Sequence, residues 1–207
     1  MSVTTAMVVY DAFMALKELS QHGNIDIQRA GITGWSLGGG VALFTAWKPI
    51  QEAISPNYQF SAHLPIYPPC MVKPEIMKFT NAPMHILIGE LDNWVPAEPC
   101  VELINELQGM GYDADITVYP ESHHSFDRDQ EEKRINIAYS FTDCRLTLSE
   151  DGIVRTINTE FALSSPILQK IGLAFCADRG VTYGGNDYAR EHSKIFAKEF
   201  MNKHLLN

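Results

Sequence analysis

The sequence predicts an α/β fold: a mostly parallel sheet flanked by helices, with an extra β-hairpin near the C-terminus. Three observations predict it. Short apolar runs and helical patterns succeed one another between residues 30 and 119, and strands separated by helical crossovers build parallel sheets. These runs are largely apolar without strict alternation, as strands covered on both faces require. Farther on, Ser149-Glu150-Asp151-Gly152 separates two short β-type runs, and Asp-Gly is a hairpin turn signal. The 207 residues suffice for one large domain with a buried core. Residues 1–207 therefore read as a single domain, with a hairpin insertion over 140–160.

The elements follow in order. Met1-Ser2-Val3 runs directly into a helical pattern over Thr5–Leu19, where Val9, Ala12, Phe13, Leu16 and Leu19 recur at spacings of three and four, the period of an amphipathic helix. His22-Gly23-Asn24 stops it. Ala30-Gly31-Ile32-Thr33-Gly34-Trp35 reads as a buried parallel strand that breaks into Ser36-Leu37-Gly38-Gly39-Gly40. A second helix over 41–47 is closed by Pro49. Residues 60–66 and 83–88 read as strands, 97–110 as a helix stopped by Gly111, and 115–119 as a strand ended by Pro120. The charged run 127–134 reads as solvated. Residues 144–148 and 153–157 form the hairpin, 166–176 a short helix, and Asn186, a good N-cap type, starts a last helix whose Tyr188, Ile195, Phe196, Phe200 and Leu205 are expected to pack on the sheet.

Charge narrows the function. Sixteen Lys and Arg stand against 25 Asp and Glu, a net charge of −9. That balance argues against non-specific binding to nucleic acid or to an anionic membrane. No apolar run approaches the ~20 residues that span a bilayer.

Gly34-Trp35-Ser36-Leu37-Gly38 is a G-x-S-x-G motif between an apolar strand and a small-residue helix, the context of a nucleophile elbow. The glycines two before and two after Ser36 are expected to clear side chains from the neighbouring strand and helix. The N–H of Leu37 is the expected oxyanion donor. A serine hydroxyl needs a base to take its proton and a carboxylate to orient that base. Asp92 lies just past the strand over 83–88, in Gly89-Glu90-Leu91-Asp92, and His123-His124 lies past the next strand. The order serine, acid, histidine fits the fold. Glu90 is the rival acid. Trp35, Tyr67 and Trp94 sit at predicted strand ends on the elbow side, where they would line a substrate pocket; core packing is the competing reading for Trp35. His123 is expected to help shape the pocket. A metal site at His123, His124 and Asp127 is disfavoured, because adjacent side chains rarely converge on one ion. The reading calls for no cofactor and no metal.

Together, Gly34-Trp35-Ser36-Leu37-Gly38-Gly39, Gly89-Glu90-Leu91-Asp92-Asn93-Trp94-Val95-Pro96 and Tyr119-Pro120-Glu121-Ser122-His123-His124-Ser125-Phe126-Asp127 resemble the dienelactone hydrolase family of α/β-hydrolases. The resemblance implies the C-terminal portion of an α/β-hydrolase fold. It selects Ser36, Asp92 and His124 as catalytic, with His124 preferred over His123. It implies hydrolysis of a small carboxylic ester or lactone through an acyl-enzyme. A serine at position 36, where dienelactone hydrolase proper carries cysteine, moves the expectation toward a serine esterase. Peptidase or thioesterase chemistry on the same triad, and a non-catalytic protein keeping the elbow, are the competing readings. Cys144 and the segment Cys176-Ala177-Asp178-Arg179-Gly180 resemble the tail of one branch of the family.

The family places further strands before the first helix of this chain. An N-terminally incomplete domain is therefore expected, whether a fragment, a truncated reading frame or a chain completed by a partner. The strand over 30–35 would then be an open edge, through which two copies would pair as a homodimer. The other expected partner is the small ester or lactone itself. Cys70, Cys100, Cys144 and Cys176 are either four thiols or two bridges. The chain as given shows no signal-peptide pattern. An exported parent protein is expected if Cys70–Cys100 and Cys144–Cys176 are bridged, and a cytoplasmic one otherwise.

Overall fold

The computed structural model describes residues 4–157 and 159–206. Met1-Ser2-Val3, which precede the expected helix, and Asn158 within the hairpin segment lie outside the described residues. Helix α1 (Thr5–Leu19) is followed by a 3-10 turn (Ile27–Arg29), β1 (Gly31–Trp35), α2 (Leu37–Phe44), α3 (Lys48–Ile54), β2 (Ala62–Ile66), β3 (Val72–Pro74) and β4 (Met84–Gly89). Then come α4 (Ala97–Gly109), β5 (Ala114–Tyr119), β6 (Lys133–Ser140), β7 (Leu146–Leu148), β8 (Val154–Thr156), α5 (Pro166–Leu173), β9 (Asp178–Tyr183) and α6 (Asp187–Leu205).

Strands β1, β2, β4 and β5 form one sheet in that order, every neighbouring pair parallel. The four loops that follow them therefore open at the same end of the sheet, where open α/β sheets bind ligands. The middle strands β2 and β4 are almost wholly buried, which explains their near-continuous apolar sequence. Leu64, Ile66, Ile86, Leu87 and Ile88 join Leu103, Ile104 and Leu107 of α4 in the main core. Val9, Phe13 and Leu16 of α1 pack with Val41 and Phe44 of α2 in a second cluster. Thr4 caps α1 by accepting the Met7 N–H at 3.3 Å.

Several sequence expectations need correction. Strand β1 stands at the sheet edge as expected, but it is only partly buried rather than the buried strand its apolar run predicts, because no strand covers its outer side among the described residues. Helix α2 ends at Phe44, and Pro49 opens α3 rather than closing α2; proline is tolerated in a first helical turn, where its missing N–H has no intrahelical use. The charged run ends in β6, which pairs antiparallel with β9 in a two-stranded ribbon. The hairpin β7–β8 forms as read, and β7 also pairs parallel with the three-residue β3. In α6 the buried residues are Ala189, Ser193 and Phe200. Tyr188 and Ile195 face outward, 66% and 58% exposed, since a helix lying on a sheet buries only one stripe.

The four cysteines are paired. Cys70 bonds Cys100 and Cys144 bonds Cys176, with Cα separations of 5.0 and 4.8 Å. No described helix is long and apolar enough to cross a membrane.

Candidate active site

Ser36 stands between β1 and α2 with φ 55° and ψ −114°. Such a backbone costs a non-glycine residue about 1–3 kcal/mol, and the surroundings hold it there. The Ser36 N–H donates to Ile66 O at 3.0 Å, and Ser36 O accepts the Gly40 N–H at 2.9 Å. A Cβ on Gly34 would lie 2.2 Å from Gly38 O, and one on Gly39 would lie 2.5 Å from Ile66 O. Gly38 differs from expectation: a Cβ there would meet nothing within 4 Å. The tight approach thus depends on Gly34 and Gly39, because α2 turns its Gly39 side, not its Gly38 side, toward β2. The N–H of Leu37 opens α2, where the first amides have no intrahelical acceptor and the helix dipole favours negative charge.

The loop after β4 carries Asp92, which is 4% exposed. Its Oδ1 accepts the N–H groups of Trp94 and Val95, each at 2.9 Å. Its Oδ2 lies 2.7 Å from His124 Nδ1. The loop after β5 carries His124, whose Nε2 lies 3.1 Å from Ser36 Oγ. A carboxylate only accepts, so Nδ1 carries the imidazole proton and Nε2 is left to accept the serine hydroxyl proton. The structure thus brings Ser36, His124 and Asp92 into one hydrogen-bonded chain. Glu90 is not part of it: its Oε2 accepts the Glu121 N–H at 3.0 Å and braces the histidine loop from outside.

A cleft of about 380 Å³ opens over Ser36, lined by Trp35, Tyr67, Trp94, His124, Ser125, Arg128, Ile135 and Tyr183. Trp35 is 48% exposed, so its ring belongs to the cleft and not to the core. Tyr67 and Trp94 flank the imidazole, with ring centroids 4.5 and 5.1 Å from that of His124. The Tyr67 hydroxyl donates to Asp127 Oδ1 at 2.7 Å. Burial and the Asp127 carboxylate push the phenol pKa far above its ordinary value, so Tyr67 stays a neutral donor.

His123 does not line this cleft. Its ring turns away, with Nδ1 2.9 Å from Leu91 O and Nε2 3.7 Å from Glu132, because successive residues of the loop point in different directions. It ties the histidine loop to the acid loop. Sequence reasoning missed Ser125, Arg128, Ile135 and Tyr183. The only signal for the last was the apolar alternation of Val181 and Tyr183, too short to stand out. Among the described residues no group of three or more His, Cys, Asp or Glu is placed to hold a metal ion.

Comparison with known proteins adds the lineage. The sequence model of the dienelactone hydrolase family matches residues 1–145. This chain belongs to the dienelactone hydrolase family. A protein of Yersinia pestis named "Putative carboxymethylenebutenolidase" is 33% identical over 116 residues, covering 53% of this chain. The chain spans only 41% of that relative's length. Among solved structures, the apo form of Thermogutta terrifontis esterase 2 superposes with a TM-score of 0.50 at 24% identity, covering 61% of this chain and 58% of that one. The same esterase phosphoramylated by tabun gives 0.50 at 23% identity, covering 61% and 57%. These likenesses show the α/β-hydrolase fold. The family match ends within the segment between β6 and β7, so β9 and α6, like the hairpin, lie outside it.

Proposed function

We propose that this member of the dienelactone hydrolase family is a serine hydrolase acting on a small carboxylic ester or lactone. The observation that carries the reading is the unbroken chain Ser36 Oγ, His124 Nε2, His124 Nδ1, Asp92 Oδ2, at 3.1 and 2.7 Å. Ser36 Oγ attacks the ester carbonyl while His124 Nε2 accepts the hydroxyl proton. Asp92 holds the tautomer and stabilises the imidazolium that forms. Negative charge on the carbonyl oxygen develops beside the Leu37 N–H. His124 then returns the proton to the departing alcohol, and a water activated the same way releases the acid from Ser36. A lactone follows the same course, except that the alcohol freed by ring opening stays tethered to the acyl chain, so water releases a single hydroxy acid from Ser36.

Replacing Ser36 with Ala is the direct test. Hydrolysis of short p-nitrophenyl esters, and labelling by a fluorophosphonate probe, are both expected to vanish. Unchanged turnover rejects Ser36 as the nucleophile. Amide and thioester substrates run beside the esters separate this reading from a peptidase or thioesterase.

The two cysteine pairs extend the proposal to compartment. Pairs at bonding distance favour folding where disulfides persist, outside the cytosol. Thiol titration of the denatured, unreduced protein from its native source is expected to find no free thiol; four would place it in a reducing compartment.

A further inference from the structure

Strands β6 and β9 lie outside the four-stranded sheet, yet each sends a side chain into the cleft over Ser36: Ile135 and Tyr183. The register pairs Ile135 with Val181 and Lys133 with Tyr183. Ile135 and Tyr183 are therefore diagonal neighbours on one face of the ribbon. The Tyr183 ring lies 6.4 Å from that of Trp94, within the range of aromatic pairs. The wall facing the nucleophile is thus built partly by a strand beyond the matched family region.

Several contacts fasten this wall, and two of its anchors, Asn93 and the His124 carbonyl, adjoin the Ser36–His124–Asp92 chain. Asn93, next to Asp92, accepts the Thr182 N–H on Oδ1 at 2.8 Å, and its carbonyl accepts the Ser140 hydroxyl at 2.5 Å. His124 O accepts the Gly184 N–H at 3.0 Å. The Cys144–Cys176 bridge closes the end of the ribbon, joining the segments that follow β6 and precede β9.

We propose that the β6–β9 ribbon is the specificity wall of the cleft. Tyr183 and Ile135 receive a ring-bearing part of the ester, and Asn93 is the positioning residue that sets the wall's distance from Asp92. The chemistry favours an aromatic ester over a short aliphatic one. Trp35, Trp94 and Tyr183 present flat apolar faces, and Ile135 closes the same surface. An acetyl group on Ser36 is too short to use them. The inference rests on the reading of Ser36 as nucleophile and names the substrate class of that site.

The experiment compares ethyl benzoate and phenyl acetate, which carry the ring on the acyl and the alcohol side, with ethyl acetate. Tyr183→Ala is expected to lower the ratio of kcat/KM for at least one ring-bearing ester over that for ethyl acetate about tenfold, mainly through KM. Asn93→Ala is expected to lower the same ratio. Ile135→Ala, a smaller change at a partly buried position, is expected to lower it about threefold and keeps the test open if Tyr183→Ala fails to fold. Ratios that stay at the wild-type value in all three variants overturn the proposal. A binding arm separates this proposal from the reading beneath it. In the Ser36→Ala protein, ethyl benzoate and phenyl acetate are titrated against tryptophan fluorescence, and adding Tyr183→Ala is expected to weaken at least one of them about tenfold. Equal affinities for both overturn the wall. Hydrolysis that persists in Ser36→Ala overturns the nucleophile instead and leaves the affinity comparison to decide the wall on its own.

Discussion

Asp92 uses both carboxylate oxygens. One takes two backbone amides of its own loop, and the other takes the His124 Nδ1 proton. The amides fix the carboxylate before the imidazole arrives, so little ordering remains to be done when a substrate binds. Asp92→Asn keeps the shape but offers the imidazole a neutral partner that can also donate, which permits the wrong tautomer. In the serine-protease case that change lowers kcat by about 10⁴, and a fall of about that size is expected here, measured on the ester that turns over fastest. A fall of less than tenfold would mean that the tautomer is set by another group. The choice between adjacent histidines was open to the family resemblance but not to spacing. The loop decides it by its local path: Glu121 and Ser125 both adopt positive φ, 52° and 62°, and between them His124 turns inward while His123 reaches the acid loop.

At the scale of elements, the parts closest to the chemistry were the most legible. The elbow and the acid loop each follow a strand with a clear apolar run, the histidine loop follows the alternating Asp115–Tyr119 strand, and short-range pattern is enough to place them. The ribbon was hidden for a physical reason. Strand β6 has exposed Lys133, Arg134 and Ile137, and its partner lies some forty residues away in sequence, so its pairing leaves no local trace. Within the ribbon, Arg179 of β9 donates to Ile137 O of β6 at 2.6 Å and stacks 4.3 Å above the Tyr139 ring. Those contacts hold a strand that burial alone would not. The bridge between Cys144 and Cys176 closes a sequence separation of 32 residues, for which loop entropy gives about 2–4 kcal/mol. Replacing both cysteines with Ala is expected to lower the unfolding free energy by that amount, read from urea titrations. A change below 0.5 kcal/mol would show that the ribbon holds without it.

For the whole molecule, His63 ties stability to pH. It sits fully buried in β2, its Nδ1 2.9 Å from Ala42 O and 3.3 Å from Thr45 Oγ1. Burial, outweighing the backbone carbonyls of Ala42 and Phe60, lowers its pKa from 6.5 to about 4. The unfolded chain therefore binds a proton between those values that the folded chain refuses. Stability is complete above pH 6.5 and falls as the pH drops toward 4, by about 3 kcal/mol from this residue. His63→Phe is expected to flatten the stability profile across that window; an identical slope in wild type and variant removes His63 as the cause. The parallel sheet itself was readable because its middle strands are covered on both faces and their sequence says so. The edge position of β1 and the pairing of β3 with β7 were not read from local periodicity, since both depend on what lies beside a strand rather than on the strand.

Synthesis gives the distant origin of the cleft wall a consequence in time. Ser36, Asp92 and His124 all leave the ribosome before Tyr183, which follows His124 by 183 − 124 = 59 residues. At about 5–20 residues per second, the nascent protein spends several seconds with its proton relay encoded and its selecting surface still unmade. In this reading, discrimination among substrates is acquired after the groups that carry out the chemistry.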